Sequence, residues 1–237
     1  MSPKKILIIL ISLLLYATPT YAQKTILING VQGSDDSYAV LGILKEAYKR
    51  IGYDIEVTWV NGAEALENSN SGNVDAELQR IDGISRKFSN LVQVRIPINY
   101  LQGAVFVKDV SFPVTGWYSL KPYRIGIVKG IIFAKLGTDG MDVKEAGSYD
   151  GLLTMLDNGE IDVAVMPRIN GLVAMQKEGF EDIKELEGIL ETLFLYHYVH
   201  KKNSALVPGL EKELKQMLLD GTTRRLRDAA YDELLQR

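Results

Sequence analysis

The chain has 237 residues and not one cysteine. That absence excludes a disulfide framework, thiolate catalysis and every thiolate metal site, so stability has to come from a buried core. Histidine is nearly as scarce, with His197 and His200 alone. In an extended segment their spacing sends the two rings to opposite faces, which is wrong for shared metal ligation, and no carboxylate cluster has metal-ligand spacing. No metal or other cofactor is implied. Also missing are a Gly-x-Ser-x-Gly elbow, a His-Glu-x-x-His helix and a Gly-Lys-Ser phosphate turn, so the common hydrolase, metalloprotease and nucleotide-binding signatures are not available. There is no excess of positive charge either: 27 Lys and Arg against 30 Asp and Glu give a net charge of −3. With no basic stripe, nucleic acid is excluded as a partner.

What is present is an ordinary globular composition, 46% hydrophobic and 24% charged, enough for one large domain or two small ones. The first residues stand apart. Lys4 and Lys5 precede the apolar run from Ile6 to Tyr16, and small residues surround a cleavage point after Ala22. The run is shorter than the about 20 residues that span a bilayer, so residues 1–22 are expected to be a cleaved signal peptide, with no stable membrane insertion afterwards. An exported, cysteine-free chain of this size fits a bacterial periplasm.

Beyond that point strands and helices alternate. Thr25 to Asn29 is a short apolar strand closed by Gly30, and Ser37 to Ile51 carries apolar residues at helical spacing. Ile55 to Val60 is a second strand, Ala63 to Ser69 a second helix and Val74 to Leu78 a third strand. The long apolar run from Leu91 to Val107 exceeds one ordinary strand and is expected to carry the chain from one lobe into another. After an irregular segment with Pro113, Gly116 and Pro122, the alternation restarts: strand Tyr123 to Val128, helix Ile131 to Leu136, a short strand in Met141 to Ala146, helix Tyr149 to Asn158, strand Ile161 to Met166 and helix Ile169 to Glu178. Leu190 to Val199 is a second long run that returns the chain, and the tail from Pro208 is helical with a break at Gly221. This order implies an α/β protein with largely parallel sheets. Residues 23–104 and 196–237 would form one lobe and 105–195 the other, joined by a two-stranded hinge with a ligand cleft between them.

Candidate site residues cluster at strand ends, where open α/β sheets bind ligands. The Gly30–Ser37 loop leads into a helix N-terminus; Ser34 and Asp36 are either helix caps or ligand contacts there. Arg80 and Arg86 follow the third strand, and either can clamp a carboxylate through two parallel hydrogen bonds, with Glu77 nearby as an internal ion-pair partner. Gly130 and Ile131 form a second strand-to-helix turn, and Arg168 ends another strand on the same side. Tyr38, Trp59, Trp117, Tyr118 and Tyr196 are aromatic candidates for the pocket wall or the core.

Three stretches resemble the bacterial extracellular solute-binding proteins of the polar-amino-acid type, which serve ABC importers. They are Gly72-Asn73-Val74-Asp75-Ala76, Tyr123-Arg124-Ile125-Gly126-Ile127-Val128-Lys129-Gly130, and Leu156 to Val165 (LDNGEIDVAV). The resemblance implies a two-lobe periplasmic-binding-protein-like fold, a small-molecule ligand, a permease or membrane sensor as partner, and a monomer. It puts the ligand carboxylate on Arg80 or Arg86. It also implies an acidic residue just after the Val-Ala-Val strand for the ligand's amino group, where this chain has Met166-Pro167-Arg168; that departure favours an acidic ligand over an ordinary α-amino acid. A ligand-sensing module that feeds no transporter, and an enzyme on the same scaffold, are the alternative readings.

Overall fold

In a computed structural model of the chain, residues 24–236 are described. The signal-peptide expectation falls on residues 1–22, outside the described residues. No helix among the described residues is long and apolar enough to cross a membrane.

The first half runs β1 (Lys24–Val31), α1 (Asp35–Arg50), β2 (Tyr53–Val60), α2 (Gly62–Ser71) and β3 (Ala76–Ile81). β1 pairs in parallel with both β2 and β3. α1 covers one sheet face because Ala39, Val40, Ile43, Leu44, Ala47 and Tyr48 recur at helical spacing and are all buried. α2 ends at Gly72, whose φ of 82° gives the left-handed cap that turns the chain into β3.

The run from Leu91 to Val107 is not one strand. It divides into β4 (Leu91–Gln93) and β5 (Asn99–Val107), separated by Ile96-Pro97, where proline has no N–H to donate to a ladder. The second half continues with β6 (Ile125–Val128), α3 (Ile132–Gly137), β7 (Val143–Ala146), α4 (Tyr149–Asp157), β8 (Val163–Pro167) and α5 (Arg168–Glu178). A two-residue strand β9 (Lys184–Glu185) precedes β10 (Glu191–His200), then α6 (Val207–Leu219) and α7 (Thr222–Leu234), with Gly221 between the last two.

β5 and β10 are the two crossing strands. They pair antiparallel from Asn99 with Leu195 to Gly103 with Glu191, forming a two-stranded hinge. Past the hinge β10 joins β3 and β4 in the first lobe, while β5 joins β8 and β9 in the second. The sheet order is β2-β1-β3-β10-β5-β8-β6-β7. Each lobe keeps the expected parallel crossover pairs, and the antiparallel contacts are confined to the crossing strands and their neighbours.

β3 starts two residues later than the sequence pattern indicates, so Arg80 lies within the strand and not past it. Its register with β10 slips by one residue: Tyr196 faces Arg80 and Tyr198 faces Glu77, leaving Leu78 and Gln79 together opposite His197. This is a β-bulge, and it interrupts the alternation of side chains. Leu78 packs into the α1 core and Gln79 bonds Asp36 and Ser37 of α1. Glu77 and Arg80 turn together to the α2 face, where they reach Ser69 and Gly62.

His197 holds the bulge. Its Nδ1 lies 3.0 Å from the Leu78 carbonyl, which can only accept, so Nδ1 carries the proton and Nε2 accepts from the Tyr48 hydroxyl at 2.8 Å. Burial lowers the His197 pKa to about 4. Because the unfolded imidazole takes up its proton first, the stability contributed by the neutral ring is full above about pH 6.5 and is lost as the pH falls toward about 4, a change of about 3 kcal/mol. Urea titrations across that range should show the loss. His197→Leu, which strands both the Tyr48 hydroxyl and the Leu78 carbonyl, should destabilise the protein at pH 7 by about 2–4 kcal/mol and flatten this part of the profile.

Candidate functional site

The cleft between the lobes is built where β1, β3, β6 and β8 end and the helices that follow them begin. Against the hinge is an inner cavity of about 60 Å³, walled by Leu101 and Leu195 of the hinge strands, Asp36, Gln79 and Arg80 of the first lobe, and Ile131, Phe133 and Tyr149 of the second. Farther from the hinge is an outer cavity of about 350 Å³, which shares Val31, Ile131 and Tyr149 with the inner one and reaches Asn61, Gly62, Lys129 and Gly147. A third cavity of about 170 Å³ lies beside Tyr100, Arg168, Tyr231 and Leu235 and touches Asp36 as well. The lobes are close together: the Gly130 carbonyl lies 3.4 Å from where a Cβ on Gly62 would sit.

Asp36 lines the inner cavity. It is 6% exposed, in the first turn of α1, with Ser34 at the N-cap position. The Ser34 hydroxyl makes no cap hydrogen bond; it donates instead to Asp36 Oδ1. Gln79 Nε2 donates to Oδ2 at 2.8 Å. From the second lobe, Asn170, with its amide assigned so that the nitrogen faces the carboxylate, donates to Oδ1 at 3.1 Å and accepts from the Asp35 N–H at 3.0 Å, so one buried side chain ties α5 to the start of α1. Every one of these donors is neutral. Burial accordingly raises the Asp36 pKa above its ordinary 3.8, against the opposite pull of the hydrogen bonds. Tyr149 completes the cluster beside Ser34, its phenol pushed well above 10 by burial and by the nearby Asp36 carboxylate.

Arg80 has a different environment. Its Nε donates to Glu77 Oε1 at 2.7 Å and its Nη2 to the Gly62 carbonyl at 2.8 Å. Glu77 is fully buried, and its second oxygen accepts from Ser69 at 3.0 Å; burial raises its pKa against the pull of Arg80. The two groups compensate each other, whereas Asp36, a buried carboxyl that lines the inner cavity, has no salt-bridge partner among the described residues.

The other expected residues are dispersed. Arg86 sits on an exposed single turn and lines none of the three cavities. Arg168 is half exposed, pairs with Glu185 at 2.7 Å and lines the third cavity. Gly130 (φ 86°) and Ile131 form the turn between β6 and α3, and Ile131 reaches both cleft cavities. Of the aromatic candidates, Tyr38 and Trp59 stack on each other at 4.1 Å, Trp117 packs near Phe133, Tyr118 is exposed and Tyr196 joins a small core cluster. Among the described residues, the aromatic side chains that line the inner cavity are Tyr149 and Phe133. Gln79 and Asn170 were not legible as site residues; Asn170 lies two positions beyond Met166-Pro167-Arg168, the region where the resemblance implied an acid.

The arrangement of the lobes matches solved structures closely. A histidine kinase sensor domain with similarity to periplasmic binding proteins superposes with a TM-score of 0.75 over 87% of this chain and 96% of that one, at 17% identity. The chain has the periplasmic-binding-protein fold. An amino acid ABC transporter substrate-binding protein from Streptococcus pneumoniae, bound to L-arginine, superposes with a TM-score of 0.70 over 91% of this chain and 98% of that one, at 14% identity. In sequence, an uncharacterized protein of Shewanella oneidensis is 26% identical over 196 residues, 79% of this chain and 74% of that protein. No family profile matches.

The Glu77–Arg80 pair makes a prediction that separates structure from ligand contact. Arg80→Ala leaves a buried carboxylate without its cation and should cost about 3–5 kcal/mol in urea denaturation. Adding Glu77→Gln should recover a large part of that loss. Arg168→Ala removes a half-exposed ion pair and should cost under about 1 kcal/mol.

Proposed function

We propose that this protein is a periplasmic solute-binding protein that captures a small amine-bearing, amino-acid-like solute by closure of its lobes on the hinge. The observation that carries the reading is Asp36, a buried carboxylate in the cleft held by neutral donors from both lobes. A buried charge without a counter-charge is costly, and a ligand ammonium supplies the counter-charge. Ser34, Gln79 and Asn170 would orient the carboxylate toward it. Asp36 then takes over the amine-holding role left open at Met166-Pro167-Arg168, from the opposite lobe. The charge balance shifts the expected ligand from an acidic solute toward an amino-acid-like one, since Arg80 and Arg168 are already paired with Glu77 and Glu185. The solute would pass to an ABC permease, in line with the transport protein from Streptococcus pneumoniae. A second reading, favoured by the likeness to a kinase sensor domain, has the same cleft report its ligand to a membrane sensor. The solved structures that the chain resembles are ligand-binding proteins, and an enzyme is the least supported reading.

A thermal-shift screen of amino acids, amines, dicarboxylates and short peptides tests the proposal. A true ligand at a hundred times its dissociation constant should add about 2.7 kcal/mol of stability; silence across the amines would reject it. Asp36→Asn should abolish the response. Affinity should fall as the pH is lowered through the raised Asp36 pKa, since protonation removes the charge that the ammonium pairs with. Uptake of the labelled ligand should drop in a strain lacking the protein if it serves an importer, and stay unchanged if it serves a sensor.

A further inference from the structure

The inner cavity is small for the solute that its chemistry selects. Its 60 Å³ has room for a few water molecules at ~10–15 Å³ each, which suits a headgroup better than a whole amino acid. The space continues outward past Val31, Ile131 and Tyr149 into the outer cavity of about 350 Å³, within the range of pockets that enclose small molecules. The two cavities differ in chemistry. The inner wall carries Asp36, the Arg80 that is paired with Glu77, and the apolar hinge residues Leu101 and Leu195, whereas the outer wall combines the apolar Val31, Val128 and Ile131 with Gly62, Gly147, Asn61 and Ser148. Lys129 lines the outer cavity as its one cationic side chain and makes no salt bridge among the described residues.

We infer that the cleft takes a short peptide, about two residues long: its free amino terminus enters the inner cavity at Asp36, its amide linkage lies along the outer wall, and its carboxylate points toward Lys129. The inference rests on the amine reading of Asp36 and adds the length and far end of the ligand. Three features support it together: an inner space fit for a headgroup alone, an outer space several times larger, and unlike charges at the two ends. A peptide amide offers one donor and one acceptor, which Asn61 and Ser148 of the outer wall can meet on closure. A free amino acid would leave most of the outer cavity unfilled.

Gly147 provides the test. No heavy atom lies within 4 Å of the position its Cβ would take, so a larger side chain can be added there and would project into open space. Calorimetry on the purified protein compares dipeptides such as Ala-Ala and Ala-Gln with the free amino acids, with N-acetylated dipeptides and with dipeptide amides. Dipeptides should bind at least tenfold more tightly than their constituent amino acids, acetylation should abolish binding, and amidation of the carboxylate should weaken it several-fold. Gly147→Phe should lower dipeptide affinity at least tenfold with the thermal midpoint of the unliganded protein unchanged. Lys129→Gln should remove the difference between dipeptides and their amides. Free amino acids that bind as tightly as dipeptides, or dipeptide affinity unaltered by Gly147→Phe, would overturn the inference and leave the amine reading standing. Failure of every free amine, peptides included, would overturn both.

Discussion

One extra residue in β3 sets the chemistry of the cleft. In a regular strand Leu78 and Arg80 would share one face, and Glu77 and Gln79 the other. The bulge opposite His197 breaks that rule, so that Leu78 and Gln79 both face α1 and Glu77 and Arg80 both face α2. Gln79 can then reach Asp36, and a strand can hold an ion pair between residues three apart in sequence. The bulge is itself secured from the lobe interior, where the neutral His197 ring connects the Leu78 carbonyl to the Tyr48 hydroxyl. A buried histidine and tyrosine that line none of the three cavities thus position the groups that do.

The two buried carboxylates of the first lobe are treated in opposite ways. Glu77 has a guanidinium at 2.7 Å and a serine hydroxyl behind it, which makes it part of the framework. Asp36 has hydroxyl and amide donors from both lobes and, among the described residues, no ion-pair partner. Desolvation outweighs the opposing interactions at each of them, but Glu77 is opposed by a guanidinium as well, and Asp36 by neutral donors alone. The unpaired carboxylate lies where the lobes meet, and Asn170 from the second lobe already touches it. A ligand cation at that point would favour the closed arrangement over the open one, which is the energetic requirement for ligand-driven closure.

Much of the fold can be read from the chain. Helical spacing from Ala39 to Tyr48, the glycine stops at Gly52 and Gly72, and the alternation of short strands with helices give two α/β blocks. The two long runs are correctly read as crossings, because local length and hydrophobicity are enough to show that a strand extends beyond one lobe. Proline at position 97 divides the first of them, a local effect whose exact consequence depends on which strand lies alongside. The candidate site is legible in its location and less so in its members. Ser34, Asp36, Arg80 and Ile131 meet in the cleft, while Arg86 and Arg168 do not share it.

The sequence by itself determined the elements, their order and the strand ends where a site could form, because these follow from hydrophobic period, glycine and proline acting over a few residues. It also determined which chemistries are absent, since a chain without cysteine cannot supply thiolates. Only the tertiary structure decided the register slip in β3, the pairing of Glu77 with Arg80, and the arrival of Asn170 at Asp36 from 134 residues away along the chain. Those depend on which strand lies opposite and which lobe closes, and a side chain's partner across a cleft leaves no local pattern in the residues around it.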